Sequence, residues 1–543
     1  MESKTISGFL VSGISLSPDA NETDAFDIAA TDLKRAGIDP ARIRFHVYKR
    51  SVDARKKKDV RLVYTVAASL PKPIVRAVPL GGKHPISSWE EQVPEVCLGT
   101  EVMQYPPLVV GMGPAGLFTA LFLAEHGYCP TIIDRGDAVQ ERIRTHKTFL
   151  KHGLLDPESN IQFGAGGAGT FSDGKLMTRI HDPNISYVLN RFVEFGAPKE
   201  ILTEAKPHIG TDLLVGIVER LLVEIERLGG RVLYRCRMDG VQTNSDGSFT
   251  VQTTKGDFFA SSVILAPGHS SRDTYDMLLK KGYAVETKPF SVGVRIEHLQ
   301  EDIDKALYGS FAGHPKLGKG EYHLSDTSSG RGVYTFCMCP GGEVVAATSE
   351  EHGVVVNGMS PYARDGKNAN SAVAVTVRPN DFDGTPQGAI AFQRQLEQAA
   401  FRAGGGDYCA PIQTVGDFLD GRRGSEPKRI LPTYGGGRVR LASMNEILPP
   451  FVGAELKRGL LSFDQKLPGF AVSDAVLSGV ETRTSAPIRI LRGETLCAIG
   501  RPGIYPCGEG AGYAGGITSA AADGLRVAMA VMKRFAPIEE KNQ

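Results

Sequence analysis

The sequence predicts an α/β fold, and three patterns indicate it. Residues 108–136 read as an apolar strand, a glycine turn, an apolar helix and a second apolar strand, which is how a parallel βαβ unit begins. Residues 231–266 contain short alternating runs separated by turn residues, typical of an antiparallel meander. Residues 504–534 add another strand and a long helix. We therefore predict a Rossmann-type domain with a β-meander, an inserted mixed α+β cap domain and a small N-terminal α+β module.

Composition and charge narrow the classes of function. Lys+Arg 62 against Asp+Glu 61 leaves the chain nearly neutral, so no overall attraction to nucleic acid or membrane is expected. There is no run of 18 apolar residues, and the first ten residues lack the pattern of a secretory signal. Eight scattered cysteines do not indicate a disulfide framework. We expect a cytoplasmic protein without a membrane partner or metal site, and the number of subunits stays open.

Residues 1–100 are predicted to form the N-terminal module. A strand at 6–14, a helix at about 24–36 and strands at 43–48 and 60–66 are expected. The basic run KRSVDARKKKDVR joins the last two strands. We interpret it as a solvated hairpin loop, because Asp53 and Asp59 dilute its charge and aromatic residues are not interleaved with it. The alternative is a phosphate or partner contact. The Pro-rich segment 71–85 predicts a linker.

The glycine turn after the strand at 108–110 predicts a dinucleotide site. Gly111 makes the turn, Gly113 lets the backbone approach a pyrophosphate, and Gly116 lets the helix pack closely on the strand. Asp134 ends the next strand, where a carboxylate can accept hydrogen bonds from a ribose diol. Because the strand, the helix and the acidic residue at the strand end all accompany the glycines, the pattern favours a dinucleotide site over a glycine turn that serves packing alone. Further predicted contacts are Pro114, Ala115 and Arg135.

Two further segments favour FAD over NAD. ILAPGHSS is an apolar strand ending in Ala-Pro-Gly, similar to the ATG-type strand of flavoproteins with two dinucleotide-binding domains. In residues 504–524 a strand leads to an acidic residue, and two glycines then open a helix that Thr518 or Ser519 can cap. Aimed at the flavin pyrimidine edge, this helix N-terminus would stabilise the negative charge that develops on reduction. Predicted FAD contacts are Met238, Ala266, Gly268, His269, Gly508, Glu509, Gly515, Gly516 and Ile517.

A second glycine pattern lies in NIQFGAGGAGTFSDGKL. Gly164-x-Gly166-x-x-Gly169 resembles a nicotinamide-nucleotide fingerprint, but no apolar strand precedes it and no helix start follows it. We interpret the segment as a glycine/serine loop that wraps the flavin. No other stretch supplies a second fingerprint, and no cysteine redox motif follows the first acidic residue, so a pyridine-nucleotide–disulfide reductase is not predicted. The predicted contacts are Gly166, Gly167, Gly169, Thr170 and Ser172.

These motifs carry a resemblance that covers nearly the whole chain. Residues 108–543 resemble the uncharacterised bacterial FAD-dependent dehydrogenase (oxidoreductase) family, a glutathione-reductase-type group with a single dinucleotide-binding domain, and the N-terminal module is similar to that family's. The resemblance implies noncovalent FAD and redox chemistry, but no substrate. The segments that carry it are KRSVDARKKKDV, GPAGLF, NIQFGAGGAGTFSDGKL, KPHIGTD, KPFSVGVRIEH, FCMCPGGEVVAATSEE, NGMS, GVETRTSAP and GEGAGYAGG.

Candidate catalytic residues lie outside the fingerprint. Cys337 and Cys339 would face one side of a strand. We favour two buried structural thiols over a flavin contact or a redox or metal pair. His208 precedes a helix for which Thr211 or Asp212 is the expected N-cap; it is a substrate-side acid/base or, as we favour, a structural histidine. His269 is expected to pack against the cofactor.

Two pairs of charged residues are further candidates. Arg295 is predicted either to bind a substrate carboxylate or to form a structural ion pair with a neighbour such as Glu297. Glu481 and Arg483 are again two residues apart, so on a strand both would point into one cleft. They either recognise the substrate or form an ion pair in the core.

The predicted domains are 1–100 (N-terminal module), 101–285 (FAD-binding domain, first part), 286–475 (substrate or cap domain) and 476–543 (FAD-binding domain, C-terminal part). The predicted function is an FAD-dependent oxidoreductase that transfers hydride or electrons between a small organic substrate and an unknown acceptor. One alternative is an NAD(P)H-dependent flavin monooxygenase or reductase, in which NAD(P)H is a transient reductant. Others are an RNA-associated flavoprotein and a flavin-bound scaffold, although no nucleic-acid partner is expected.

Overall fold

The computed structural model describes residues 5–75, 83–90, 94–178, 180 and 182–538. The predicted α/β class is confirmed: the described residues contain a five-stranded parallel sheet, a three-stranded antiparallel meander and a seven-stranded mixed sheet. None of the helices in these ranges is long and apolar enough to cross a membrane.

The N-terminal module is a four-stranded antiparallel sheet with one helix. Its elements are β1 (Thr5–Leu16), α1 (Glu22–Arg35), β2 (Arg44–Asp53), β3 (Arg61–Val75) and β4 (Ile86–Trp89). The strand order is β2-β3-β1-β4, and Ala25, Ala29 and Leu33 bury one face of α1 in the core of the module. The basic run contains the predicted β2–β3 hairpin turn. Residues 71–75 of the predicted linker extend β3 instead, and residues 76–82 lie outside the described residues.

The first part of the predicted FAD-binding domain contains the parallel sheet. Its elements are β5 (Leu108–Val110), α2 (Pro114–Glu125), β6 (Thr131–Ile133), α3 (Val139–His152), α4 (Asn184–Glu194), α5 (Thr211–Arg227), β7 (Arg231–Leu233), β8 (Met238–Thr243), β9 (Phe249–Thr253), β10 (Gly256–Ala260), β11 (Val263–Leu265) and α6 (Arg272–Lys280). Strands β11, β5, β6 and β7 are parallel neighbours. The predicted meander is the antiparallel sheet β10-β9-β8. Helix α2 is apolar on every side because other elements cover all of it.

The predicted cap domain is built on the seven-stranded sheet. Its elements are β12 (Val285–Thr287), β13 (Phe290–Leu299), α7 (Gln300–Tyr308), β14 (Ser325–Asp326), β15 (Val333–Cys339), β16 (Glu343–Ala346), β17 (Val356–Met359), β18 (Asn368–Val377), α8 (Pro386–Ala403), β19 (Ala410–Thr414), α9 (Val415–Asp420), β20 (Val439–Leu441), α10 (Met444–Ile447), α11 (Pro450–Lys466) and β21 (Val476–Glu481). The order is β14-β15-β18-β13-β21-β19-β20. Strands β13 and β18 are buried on both faces. Strand β21 belongs to this sheet, although the sequence analysis places residues 476–481 in the FAD-binding domain.

The chain then returns to the parallel sheet. The last elements are β22 (Ile488–Ile490), β23 (Ile504–Pro506) and α12 (Ile517–Arg534). Strand β22 pairs with β12, and β23 joins β11 at the edge of the parallel sheet. Helix α12 packs on α2, where the Thr119 hydroxyl donates a hydrogen bond of 3.0 Å to the Gly524 carbonyl. The carboxyl ends of β5, β11 and β23 therefore open toward the cap sheet.

Candidate functional site

A cavity of about 480 Å³ lies between the parallel sheet and the cap sheet. One wall consists of the glycine turns after β5, β11 and β23, and the other comes from β15, β17 and β21. This is the crevice at the carboxyl ends of parallel strands where nucleotides bind in such folds. The predicted cofactor residues in its lining are Gly111, Gly113, Pro114, Ala115, Asp134, Gly167, Gly169, Ser172, Ala266, Gly268, His269, Glu509, Gly515, Gly516 and Ile517.

The turn between β5 and α2 leaves the N-terminus of the helix open. Gly111 has φ +105°, and a Cβ there would clash with the Ala266 carbonyl. By contrast, Gly113 is the extended N-cap of α2, and a Cβ added to it would meet nothing within 4 Å. The open side of Gly113 faces the cavity. The N-terminus of α2, with its unpaired N–H groups and partial positive charge, is therefore accessible to an anionic group.

Asp134 braces this turn. Its carboxylate accepts hydrogen bonds from the backbone N–H of Met112 (2.8 Å) and of Gly136 (2.9 Å). It also lines the cavity. The side chain thus ties the end of β6 to the glycine turn, and its contact with a ribose remains a prediction.

The second glycine loop lies against the first. Gly166 and Gly167 have φ of +83° and +62°, and the backbone N–H of Gly166 donates to the Met112 carbonyl at 2.8 Å. A Cβ on Gly167 would lie 3.0 Å from the Gly113 Cα. A short 3₁₀ helix, Gly167–Phe171, follows instead of an α-helix. The loop is therefore part of the same cavity wall, which supports our interpretation of it as a loop around the cofactor.

Sequence reasoning missed Arg142, which holds this loop in place. Its guanidinium is fully buried on α3 and donates two hydrogen bonds to the Asn160 carbonyl (2.9 and 3.1 Å) and one to the Ile161 carbonyl (2.9 Å). It also donates to the Ala165 carbonyl and makes two bonds of 3.2 Å to the Gly167 carbonyl. Burial lowers its pKa to about 10. The charges of Asp134 and Asp137 act on this guanidinium and oppose the effect of burial on its pKa. A signal exists in the sequence, since Arg142 lies on the apolar stripe of α3, where a charge needs internal partners.

The 504–524 segment forms the third part of the wall. The backbone N–H of Gly508 donates to Asp523 at 2.8 Å, and Asp523 is paired with Arg492 at 2.6 Å. A Cβ on Gly515 would meet nothing within 4 Å, so the start of α12 also opens to the cavity. Burial raises the pKa of Glu509 to about 7, opposed by Lys288. The predicted cap by Thr518 or Ser519 is wrong, because Gly516 is the N-cap of α12 and no described side chain caps it. The Ser519 hydroxyl accepts from the Gly515 N–H at 3.2 Å, and the Thr518 hydroxyl donates to the Leu176 carbonyl at 2.8 Å.

Some predicted FAD contacts do not line the cavity. Arg135 instead pairs with Glu158 and Asp273, each at 2.8 Å. Met238 packs in the core beneath the meander, and a Cβ on Gly116 would clash with the Gly111 carbonyl, so that glycine serves close packing. The residues outside the lining are Gly116, Arg135, Gly166, Thr170, Met238 and Gly508.

On the cap side, Arg295 forms a buried ion pair, which is one of its two predicted alternatives, but the partner is Glu481. Its fully buried guanidinium lies 3.0 Å from Glu481 on the neighbouring strand β21 and donates to Asn370 at 2.6 Å. The expected pair with Glu297 does not form; the Glu297 carboxylate accepts from Asn368 at 3.0 Å and from the Thr433 hydroxyl at 2.6 Å. Cross-strand neighbours on the sheet therefore determine the pairing.

The two cap cysteines do not face the same side of β15, although residues two apart on a regular strand would. Cys337 has φ +44°, and the β15–β18 register shifts between Phe336 and Cys339. Cys337 lines the cavity, whereas Cys339 is fully buried beneath it and accepts from Arg295 at 3.4 Å. The pKa of Cys337 is lowered to about 6 by a hydrogen bond from Cys339 and by the Arg295 cation, whereas burial opposes the shift. Burial raises the pKa of Cys339.

Glu481 and Arg483 both line the cavity but pair with different residues. The guanidinium of Arg483 meets Glu397 of α8 at 2.9 Å, and Arg272 of α6 meets the same carboxylate at 2.8 Å. Burial alone would raise the pKa of Glu397, but the two cations lower it strongly. This buried triad joins the parallel-sheet part to the cap sheet behind the cavity.

The histidines occupy different places. His269 lines the cavity, with its Nδ1 3.0 Å from the Ser270 hydroxyl. Burial, and then the nearby Arg483 and Arg272, lower its pKa to about 4, so it is neutral at pH 7. His208 does not line this cavity; its Nε2 lies 3.1 Å from the Tyr362 carbonyl and its ring stacks on that side chain.

The helix after His208 starts differently from the prediction. Gly210 is the N-cap of α5, whereas the sequence analysis expects Thr211 or Asp212. The Thr211 hydroxyl donates to the Thr170 carbonyl at 2.7 Å, and Asp212 accepts from the Tyr362 backbone N–H at 2.8 Å. Both side chains thus join α5 to neighbouring segments.

Comparisons with known proteins agree with this architecture. Residues 289–484 match the family described as "FAD-dependent protein, C-terminal domain-like", and residues 11–69 match "Domain of unknown function (DUF8436)". An "Uncharacterized protein" of Clostridium beijerinckii is 47% identical over 498 residues, covering 91% of this chain and 93% of its own length. Residues 289–484 are thus similar to the C-terminal domain of FAD-dependent proteins, which supports an FAD-dependent flavoprotein. The chain belongs to the same family as the Clostridium beijerinckii protein.

Similar solved structures also include flavoproteins. CtdE, in complex with FAD and substrate 4, is 11% identical with a TM-score of 0.34, covering 79% of this chain and 80% of CtdE. Lactococcus lactis thioredoxin reductase is 17% identical with a TM-score of 0.18, covering 30% of this chain and only 36% of its own. The family match supports the coarser part of the predicted resemblance, an FAD-dependent protein; the particular FAD-dependent dehydrogenase family remains a prediction.

Proposed function

We propose that the protein is an oxidoreductase that holds FAD noncovalently and transfers hydride or electrons between a small organic substrate and an acceptor. One observation carries the proposal: a single cavity has glycine turns and helix N-termini on one wall and titratable side chains of the cap sheet on the other. Glycine turns and helix N-termini suit a dinucleotide, and titratable side chains suit a reacting molecule.

The parallel-sheet wall would hold the cofactor. The open N-terminus of α2 at Gly113 would receive the diphosphate, and the open N-terminus of α12 at Gly515 and Gly516 would face the flavin. Bound FAD would supply reversible two-electron chemistry. Arg142 would keep the loop at 160–167 in shape around it. The partial positive charge at the start of α12 favours negative charge placed beside it.

The cap wall would position the substrate and handle its proton. The carboxyl of Glu481 lines the cavity, and burial raises its pKa to about 7, although Arg295 opposes the shift. A group with a pKa near the working pH can both accept and release a proton. We therefore assign Glu481 as the general acid/base, and Cys337 as its neighbour on the cavity surface.

A spectrum of the purified protein tests the proposal. Absorption bands of oxidised flavin are expected, together with release of all the flavin on denaturation because the binding is noncovalent. Anaerobic NADH or NADPH is then added. Bleaching within seconds would identify a nicotinamide-driven reductase or monooxygenase, whereas persistent bands would indicate a dehydrogenase reduced by its organic substrate. Protein without flavin bands that also fails to bind added FAD would refute the proposal.

The proton role has its own test. Glu481→Gln keeps the shape of the side chain but removes the proton exchange, so flavin reduction by the active reductant should slow by about 100-fold and lose its dependence on pH around 7. Its FAD content should stay at the wild-type level. Glu343→Gln is the control, because Glu343 has a burial-raised pKa but does not line the cavity. An unchanged pH profile in Glu481→Gln would remove the assignment.

A further inference from the structure

A second cavity, of about 640 Å³, lies where the N-terminal module meets the rest of the chain. Four chain segments form its walls: residues 50–54 at the end of β2, residues 200–208 before α5, residues 304–321 after the start of α7, and residues 362–364 between β17 and β18. It adjoins the first cavity, because Lys206 and Glu321 line both. Two of the sequence motifs contribute to its lining: residues 50–54 of the basic run and residues 206–208 of KPHIGTD.

The wall from the N-terminal module is held in place by several contacts. The Arg50 backbone N–H donates to the Thr203 carbonyl at 2.7 Å, and the Ala205 N–H donates to the Arg50 carbonyl at 2.8 Å. The Arg50 side chain also pairs with Glu204. On the opposite side, Lys316 Nζ donates to the Ala20 carbonyl at 2.7 Å. The module is thus docked by backbone bridges at one end and by a side-chain contact at the other, which gives the cavity a defined shape.

The carboxylates of the second cavity already have partners. Glu204 pairs with Arg50, and Glu321 lies 2.5 Å from Lys175. Asp304 accepts from the Gln300 amide at 2.8 Å and from the Gly320 N–H at 2.6 Å. Their negative charge is therefore already stabilised by these partners. Glu200 also lines the cavity, and its carboxylate is exposed at the rim.

The ammonium groups of the cavity are less well neutralised. Within the described residues the nearest carboxylate to Lys206 is Glu321 at 3.9 Å, and the nearest to Lys319 is Asp304 at 4.0 Å. Lys316 forms no ion pair with a described residue and donates to a carbonyl instead. These three lysines are exposed at the mouth, so the entrance carries an excess of positive charge. Such an excess favours entry of an anion.

Part of the interior of the cavity is apolar, although Asp304 and Arg364 are also buried members of its lining. Ile201, Tyr308 and Leu317 are buried members of its lining, and Tyr308 and Leu317 pack in the core of the N-terminal module. A ligand that satisfies both regions has an apolar body inside and an anionic group at the mouth.

We propose that the second cavity binds an organic anion, a carboxylate or phosphate with an apolar body, as the substrate of the oxidoreductase on its way to the FAD cavity. The delivery step rests on the proposed function; the binding step does not. The N-terminal module forms one wall of this substrate site. Lys206 and Glu321 lie at the junction of the two cavities, where the anionic group would meet Lys206 first.

Calorimetric titration with three matched probes tests the binding step. 2-Naphthoate and 2-naphthyl phosphate carry the anion, and 2-naphthamide has the same ring without the charge. Both anions should bind the wild-type holoprotein about tenfold or more tightly than the amide, and rising salt should weaken only the anions. An amide that binds as tightly as the anions, or no binding of either anion, would overturn the proposal. The stronger anion identifies the kind of head group.

Variants locate the binding. Lys316→Gln/Lys319→Gln should weaken anion binding about tenfold or more, with unchanged FAD content, because neither lysine lines the FAD cavity. Lys147→Gln/Lys280→Gln removes two exposed lysines outside both cavities and should have no effect. Equal affinity in the two double variants would refute the assignment.

Two more variants separate this proposal from the proposed function. Val52→Trp places an indole in the second cavity and should abolish binding of all three probes. Gly113→Val, which is designed to lack FAD, should bind the anions as wild type does. Anion binding in Gly113→Val together with absence of FAD from the wild type would leave the second site standing and remove the oxidoreductase assignment. Retained binding in Val52→Trp would remove the second site alone.

Discussion

Gly113→Val separates FAD binding from folding. Gly113 is the N-cap of α2 with φ −74° and ψ 178°, an extended conformation that valine adopts without strain. A Cβ would meet nothing within 4 Å. The added side chain would therefore project into the cavity in front of the α2 N-terminus and occupy the space expected for the diphosphate.

The two effects differ in size. Valine is a poorer N-cap than glycine, but it also lowers the entropy of the unfolded chain, so the melting temperature of the apoprotein should change by only about 3 °C or less. For FAD, the variant loses hydrogen bonds from backbone N–H groups to a charged group, each worth about 1.5–3 kcal/mol. A loss of about 3 kcal/mol corresponds to a Kd raised by more than about 100-fold.

The assay compares flavin absorbance per protein and FAD titration of the apoprotein. Gly493→Val is the control, because a Cβ there contacts only Ile499, at 3.7 Å, and Gly493 does not line the cavity. We expect a colourless Gly113→Val protein with near wild-type melting and a fully yellow Gly493→Val protein. A yellow Gly113→Val protein with full FAD occupancy would show that the α2 turn does not hold the diphosphate.

Three further predictions concern buried groups. Arg142→Met should speed proteolysis within residues 160–170 of the apoprotein and weaken FAD binding about tenfold or more, because the loop carbonyls lose their donor; Arg144→Met on the exposed side of α3 should do neither. In FAD-free protein, alkylation of Cys337 followed by peptide mass spectrometry should rise with a midpoint near pH 6, since the thiolate reacts; a midpoint near the ordinary thiol value of about 8.5 would contradict the lowered pKa. Glu397→Gln should destabilise the protein by about 3–5 kcal/mol at pH 7 in chemical denaturation. Its wild-type pKa is lowered, so the difference should shrink only below about pH 4, and a difference independent of pH would contradict the ionised triad.

The sequence alone determined the parts of the site that are local in the chain. The β5–α2 turn follows from glycines at fixed spacing between an apolar strand and an apolar helix, and the backbone geometry of that turn leaves few alternatives. The meander and the return of the chain at 504–534 follow from alternation and from helical periodicity. For the same reason, the glycine-lined wall of the cavity could be predicted largely residue by residue.

Only the tertiary structure decided which charged groups meet. Arg295 could pair with Glu297 by its spacing, but the fold brings Glu481 from 186 positions away to its guanidinium. The register shift at Cys337 depends on the pairing of β15 with β18, which no local pattern shows. The second cavity exists because the N-terminal module docks on segments far along the chain. Contacts of this kind depend on how elements pack in three dimensions. The sequence therefore determines the glycine-lined wall, whereas packing determines the cap wall and the second cavity.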